Sequence, residues 1–280
     1  MDHPLSLPPL DIPALLRQSG LRPDKSLGQN FLLDESALQQ VVEIAQVTAQ
    51  DTVLEVGAGL GSLTRYLARP GGRVIAVELD ERLLAPLRQV LSPFPNVQVV
   101  QGDILALNPA RLVPEGGYLV VANIPYYITS ALIRHLLEAE RQPARLVLTV
   151  QKEVAQRICA EPGDLSLLAL SVQVYGQPRL AAHIPASAFY PPPQVDSAVL
   201  RVDIYPTPAI PTHLLDDFFH LIKAGFSQKR KTLRNALAGG LACSTARSGE
   251  LLLAAQIDPF RRAESLSLAE WQRLTLAYTR

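Results

Sequence analysis

T-V-L-E-V-G-A-G-L-G (52–61) is an apolar, β-branched run that passes directly into three glycines at alternate positions. A run apolar on both faces suits a strand covered by helices on both sides. Gly57, Gly59 and Gly61 let the backbone turn tightly and lie close to a ligand. The same rhythm recurs in R-V-I-A-V (73–77), V-Q-V-V (97–100), Y-L-V-V-A (118–122) and R-L-V-L-T-V (145–150), with helical patterns near 61–69, 80–91 and 128–139. That alternation predicts an α/β fold, a doubly wound, mostly parallel Rossmann-like sheet with right-handed crossovers. S-V-Q-V-Y (171–175) and S-A-V-L-R-V-D-I (197–204), separated by P-P-P at 191–193, read as an antiparallel pair closing one edge.

After the proline-rich stretch Y-P-T-P-A-I-P-T (205–212) the strand signal vanishes. Amphipathic patterns near 213–225, 229–238, 247–255 and 267–278 predict a small all-α domain over 206–280, its first helix capped by Thr212. The α/β domain then spans 25–205, and residues 1–24 read as a proline-containing extension, expected to be partly mobile and given no role.

The chain has 280 residues, 48% of them hydrophobic and 19% charged, enough for a large core and unlike a disordered chain. Its formal net charge of zero hides an asymmetry: residues 206–280 hold 10 Lys and Arg against 6 acids, the rest 16 against 20. Cys159 and Cys243 lie far apart without metal-ligand spacing, which reads as a reducing compartment. The proline-broken start lacks a basic leader, and no apolar stretch is long enough to span a membrane, so a cytoplasmic protein is expected. The five histidines form no catalytic arrangement; His135 and His183 read as surface or satisfied core residues, and no motif predicts a metal.

In doubly wound folds ligands bind beyond the carboxyl ends of the strands. Glu78 ends the second strand about twenty residues past the glycines, where a carboxylate can accept from ribose hydroxyls. Asp103, in Q-G-D-I after the third strand, can accept from an adenine amino group. A tight turn beside two surface acids is the plain reading, and a dinucleotide site is the chemical rival. The third glycine comes one residue early for that fingerprint, and Glu55 before the loop repels a pyrophosphate but suits a cationic sulfonium. The set points to S-adenosylmethionine.

The fourth strand ends in N-I-P-Y (123–126). A structural Asn-Pro turn with core tyrosines would read the same way. At this strand end, however, the Asn123 side-chain oxygen and the Ile124 carbonyl can accept from the N–H bonds of an exocyclic adenine amine. That exposes a lone pair otherwise delocalised into the ring. Pro125 fixes the backbone there, and Tyr126 can stack on the base. No strong base is needed, because the amine becomes acidic once it has attacked the methyl group; the rate comes mainly from proximity and in-line orientation.

K-S-L-G-Q-N-F-L (25–32), E-V-G-A-G-L-G-S-L-T (55–64), N-I-P-Y-Y-I-T (123–129), Q-K-E-V-A-Q-R (151–157), F-Y-P-P-P-Q-V-D-S (189–197) and F-S-Q-K-R-K-T-L-R-N-A-L (226–237) occur in that order. Together they resemble the KsgA (RsmA) family of ribosomal RNA adenine N6,N6-dimethyltransferases. The resemblance implies a methyltransferase domain using S-adenosylmethionine. Its implied targets are two adjacent adenosines near the 3′ end of 16S rRNA, in the small ribosomal subunit or its precursor. It further implies that Asn30 and Leu32 touch the donor, with Gly57 at its methionine end, Glu78 at its ribose and Asp103 at its adenine. Asn123 would touch donor and target, and Phe189 would be a second aromatic face opposite Tyr126. Phe189 can equally be a loop residue covering the sheet edge, and Q-N-F-L an entry segment to a helix near 36–46 capped by Asp34. One departure is the compressed E-P-G-D-L-S-L-L (161–168), where the family usually has a longer loop.

K-R-K-T-L-R (229–234) puts Lys229, Arg230, Lys231 and Arg234 within six residues, either a phosphate-contacting helical strip or a merely solvated face. Arg22 and Lys25 can add phosphate contacts. Two other functions fit part of this pattern: a macrolide-resistance-type methyltransferase acting on 23S rRNA, and a non-catalytic RNA-binding assembly or transcription factor. A monomer is expected.

Overall fold

The computed structural model describes residues 7–279. The chain begins with helix α1 (Ile12–Gln18), strand β1 (Phe31–Leu32) and helix α2 (Glu35–Ala45). Strands β2 (Thr52–Val56), β3 (Arg73–Glu78) and β4 (Val97–Gln101) follow, with α3 (Ser62–Ala68) and α4 (Leu84–Leu91) between them. The short α5 (Pro109–Leu112) leads to β5 (Leu119–Asn123), α6 (Thr129–Leu137), β6 (Arg145–Gln151), α7 (Lys152–Ile158) and α8 (Leu167–Gln173). Three more strands are β7 (Gly176–Ile184), β8 (Phe189–Tyr190) and β9 (Ser197–Ile204). Last come α9 (Leu215–Phe226), α10 (Leu233–Gly240), α11 (Thr245–Ala254) and α12 (Leu268–Tyr278).

Seven strands form one sheet in the order β4-β3-β2-β5-β6-β9-β7. The first five run parallel, and β9 is antiparallel to β6. Strand order turns back between β2 and β5, and that is where such a sheet opens a crevice. β2, β3, β5 and β6 are buried along nearly their whole length, as their two-sided apolar pattern requires. β4 departs from it: at the sheet edge it is only half-buried, because one flank has no neighbour.

Two guanidinium groups fix α2 to the far side of the sheet. Arg201 on β9 donates to Ile44 O (2.7 Å), and Arg145 on β6 to Ala45 O (2.7 Å). Both also bind the Asp203 carboxylate, so the last carbonyls of α2 meet cations, as a helix C-terminus prefers. At the other end Asp34 accepts from Ala37 N–H (2.8 Å), the cap expected from the sequence.

The extension given no role carries α1, capped by Asp11. Ile12 and Leu16 are buried in one cluster with Phe31, Leu60 and Leu83, and Arg65 donates to Pro8 O (2.7 Å). Apolar residues at helical spacing inside a proline-rich stretch explain the difference. A second correction concerns 171–175. S-V-Q ends α8 rather than opening a strand, because Ser166 caps a helix that buries Ala169, Leu170 and Val172 on one face. The strand beside β9 starts later, at Gly176. Thr212 opens a 3₁₀ turn and gives α9 no side-chain cap.

The chain divides into two compact units. The first comprises the chain up to Ala155 together with Arg179–Ile204 and holds the sheet. The second combines Gln156–Pro178 with the chain from Tyr205 onward. The proline-rich stretch after 204 marks one crossing, whereas the crossing after Ala155 has no such signal in the sequence. In the second unit Trp271 is fully buried and stacks on Phe226 at 6.0 Å between ring centroids. A Cβ at Gly225 would lie 2.6 Å from the Trp271 ring, so this close approach of α9 and α12 needs glycine.

Candidate active site

At the switch point a cavity of about 230 Å³ opens above the carboxyl ends of β2, β3 and β5. It belongs wholly to the first unit. Its walls come from the glycine loop, Glu78, the turn at Gly102–Asp103, Asn123–Ile128 and the segment 27–32.

Gly57, Gly59 and Gly61 all adopt positive φ (74°, 60° and 86°), and a Cβ on Gly59 would meet the Phe31 ring at 3.0 Å. The loop is held by Glu78, whose Oε2 accepts from Gly59 N–H (2.7 Å) and whose Oε1 accepts from Asp80 N–H (2.8 Å). Burial raises the Glu78 carboxyl, and these two bonds work against that rise. An ionised carboxylate has about four acceptor sites, so the two bonds leave room for ribose hydroxyls. Asp103 is exposed and accepts from Leu105 N–H (2.9 Å) through one oxygen.

Asn123 ends β5, where it is partly buried. Its Nδ2 donates to Asn30 O (2.9 Å), which turns the side-chain carbonyl the other way. The neighbouring Ile124 lies one residue past the last β5–β6 pair, Asn123 with Thr149. Pro125 has φ −58°, and Tyr126–Ile128 form a 3₁₀ turn leading into α6. Tyr126 is half-buried, with its hydroxyl 2.7 Å from Ser197 Oγ, so Ser197 in the F-Y-P-P-P-Q-V-D-S stretch anchors the hydroxyl end of that ring. Leu32 is buried and pairs with Phe189 across β1 and β8.

The structure does not bring Phe189 to this cavity. Phe189 is 3% exposed and packs in the core cluster with Leu32, Ala188 and Val199, because pairing of β8 with β1 turns it inward. Its reading as the second aromatic face is corrected accordingly. Lys229, Arg230 and Lys231 do not lie on a helix either. They occupy the exposed turn before α10, and none is in an ion pair among the described residues. Arg234 does lie on α10, but its guanidinium covers the Phe260 ring at 5.2 Å.

Sequence reading missed the network that seats the 24–32 segment. Gln29 Nε2 donates to Asp80 Oδ2 (2.9 Å) and Gln29 Oε1 accepts from Asp24 N–H (2.8 Å). Arg82 bridges Asp80 and Asp24, and chiefly this guanidinium holds the Asp80 carboxyl below its usual range. The available signals were the polar Gln29 inside Q-N-F-L and an acid two residues past Glu78. His183 pairs with Asp196 at 3.0 Å on the surface, and His135 Nε2 lies 2.9 Å from Leu107 O. Among the described residues no three His, Cys, Asp or Glu cluster as metal ligands.

The donor set has a sign. Glu78 and Asp103 line the cavity together with Glu55, whose carboxyl burial pushes up to about 8, and no Lys, Arg or His does. That arrangement fits a cationic, ribose-bearing ligand and repels a pyrophosphate.

The family model described as ribosomal RNA adenine dimethylase matches residues 20–277. A protein of Dehalococcoides mccartyi named ribosomal RNA small subunit methyltransferase A is 48% identical over 261 residues, 92% of this chain and 89% of its own. A protein of the same name from Moorella thermoacetica is 42% identical over 94% of each chain. Among solved structures, the 23S rRNA methyltransferase ErmE matches with a TM-score of 0.72 at 28% identity, over 90% of this chain and 100% of its own. A dimethyladenosine transferase from Plasmodium falciparum matches with a TM-score of 0.76 at 24% identity, over 89% and 97%, a likeness of fold alone. With a family match that runs through both units and close relatives of one name, the chain belongs to the ribosomal RNA adenine dimethylase family.

Proposed function

We propose that the protein uses S-adenosylmethionine to dimethylate N6 of two adjacent adenosines near the 3′ end of 16S rRNA, within the small ribosomal subunit or its precursor. The observation that carries the chemistry is the bond from Asn123 Nδ2 to Asn30 O. It orients an otherwise free-turning amide so that its oxygen is an acceptor beside the cavity. Identity of 48% to a small-subunit methyltransferase, against 28% to the 23S enzyme ErmE, supports the choice of subunit.

When bound, the donor supplies an electrophilic methyl group on a sulfonium. The chain positions the partner. Asn123 Oδ1 and the Ile124 carbonyl accept from the two amine N–H bonds, holding the nitrogen lone pair in line. Tyr126, steadied by Ser197, offers the face on which the flipped base stacks. Asn30 serves by fixing Asn123, and Glu78, Asp103 and the glycine loop hold the donor. Lys229, Arg230 and Lys231 meet phosphates from their exposed turn. The same reading makes the protein a cytoplasmic monomer; among the described residues no helix is long and apolar enough to cross a membrane.

The test incubates the protein with labelled S-adenosylmethionine and unmodified small and large subunits in parallel, followed by nucleoside analysis. N6,N6-dimethyladenosine from the small subunit alone is expected. Label in the large subunit would overturn the choice of target, and failure to bind the donor at all would point to a non-catalytic RNA-binding role.

A further inference from the structure

Glu55 is the one carboxylate of the cavity wall that the proposed chemistry leaves unused. It is 1% exposed, at the end of β2 beneath the glycine loop, and its Oε2 has no hydrogen-bond partner. The Thr64 hydroxyl, on the helix that follows the loop, also closes no hydrogen bond of good geometry. A fully buried acid with an unpartnered oxygen is costly to ionise, and in a ligand cavity a bound cation can offset that cost.

We propose that Glu55 is the residue by which the cavity distinguishes S-adenosylmethionine from the product left after transfer, its buried carboxylate answering to the net positive charge that only the donor carries. The sulfonium donor has one more positive charge than the thioether product. Apart from the methyl group that is the only difference between them, and a charge behind the cavity wall is suited to read it. In a low-dielectric wall the effect reaches through several ångströms without direct contact.

The surrounding charges leave this task to Glu55. From β3, Glu78 repels it. Arg65 on α3 sends its guanidinium to Pro8 O, Asn123 on β5 is neutral, and Asp103 lies exposed beyond β4. No cation lines the cavity.

The direction of the pH effect follows. Burial above all pushes the Glu55 carboxyl up to about 8, Glu78 adds to the rise and the Thr64 hydroxyl works against it. In the free protein Glu55 therefore holds its proton at neutral pH. A bound net cation favours the ionised form and expels that proton, so donor affinity rises with pH through the neutral range and levels off above about 8. Product binding leaves the proton in place and changes little with pH.

The inference rests on S-adenosylmethionine as the donor and is independent of which rRNA is methylated. Calorimetric titration of the whole protein with donor and with product, at about pH 7 in buffers of different ionisation enthalpy, counts the protons released. Release approaching one proton with donor and near none with product is expected. Glu55→Gln should abolish the difference, weaken donor binding at about pH 8.5 roughly tenfold and leave product binding unchanged. Equal release for the two ligands in the unaltered protein would overturn the proposal, whether or not the variant folds. Failure of donor to bind at all would overturn the donor assignment instead.

Discussion

At the scale of single residues, the site depends on side chains whose freedom has been removed by one well-chosen bond. Asn123 alone, at the end of a strand, has an amide that can face either way. The Asn30 carbonyl decides the matter by accepting from its nitrogen. Asn123→Ala should leave the fold intact and lower methyl transfer by at least a hundredfold, because both orientation and lone-pair exposure are lost. Single-turnover assays, with donor binding measured alongside, check this. Transfer within a few-fold of the parent protein would refute the amine-orienting role. N-I-P-Y was legible as a candidate site because the strand end, the proline and the aromatics converge in five consecutive residues, 123–127. The acceptor that fixes the amide was not legible, since it lies 93 residues earlier and acts through its backbone.

At the scale of elements, the segment 24–32 is the least regular wall of the cavity, and a short strand and a polar network hold it. β1 pairs with β8, while Gln29 spans Asp80 and Asp24 with Arg82 closing the ring. A hydrogen bond to a charged group contributes about 1.5–3 kcal/mol. Gln29→Ala should therefore raise the donor dissociation constant roughly ten- to a hundredfold, as this wall loses its tie to β3. Equilibrium dialysis with labelled donor reads the effect directly; unchanged affinity would mean that β1–β8 pairing alone seats the segment. The element scale is also where sequence reading strayed. S-V-Q-V-Y has strand composition, yet Ser166 upstream caps a helix that runs through Gln173. K-R-K looked like part of a helix because L-R-N-A-L after it is one, but α10 starts only at Leu233. Phe189 shows the same limit: a two-residue strand gives no periodicity from which to tell inward from outward.

At the scale of the whole molecule, the proposed function assigns donor and RNA to separate parts of the chain. The cavity belongs to the first unit, and the exposed Lys229, Arg230 and Lys231 belong to the second. Replacing the three together with alanine should flatten the dependence of log affinity on log salt for the rRNA substrate by about 2 to 3, roughly 0.7 to 0.9 for each lost phosphate contact. Filter binding across a salt series measures that slope, and donor affinity should not move. An unchanged slope would mean a merely solvated turn. The sequence by itself determined the parallel core, the glycine loop, Glu78, Asp103 and the N-I-P-Y turn, because strand periodicity and strand-end chemistry are local properties. Only the tertiary structure decided which acids are sealed in, which amide faces the cavity, that Phe189 turns away from it, and that 156–178 group with the helical unit. Those outcomes depend on long-range pairing and on what each residue is buried against, and neither is written in the spacing of neighbouring residues.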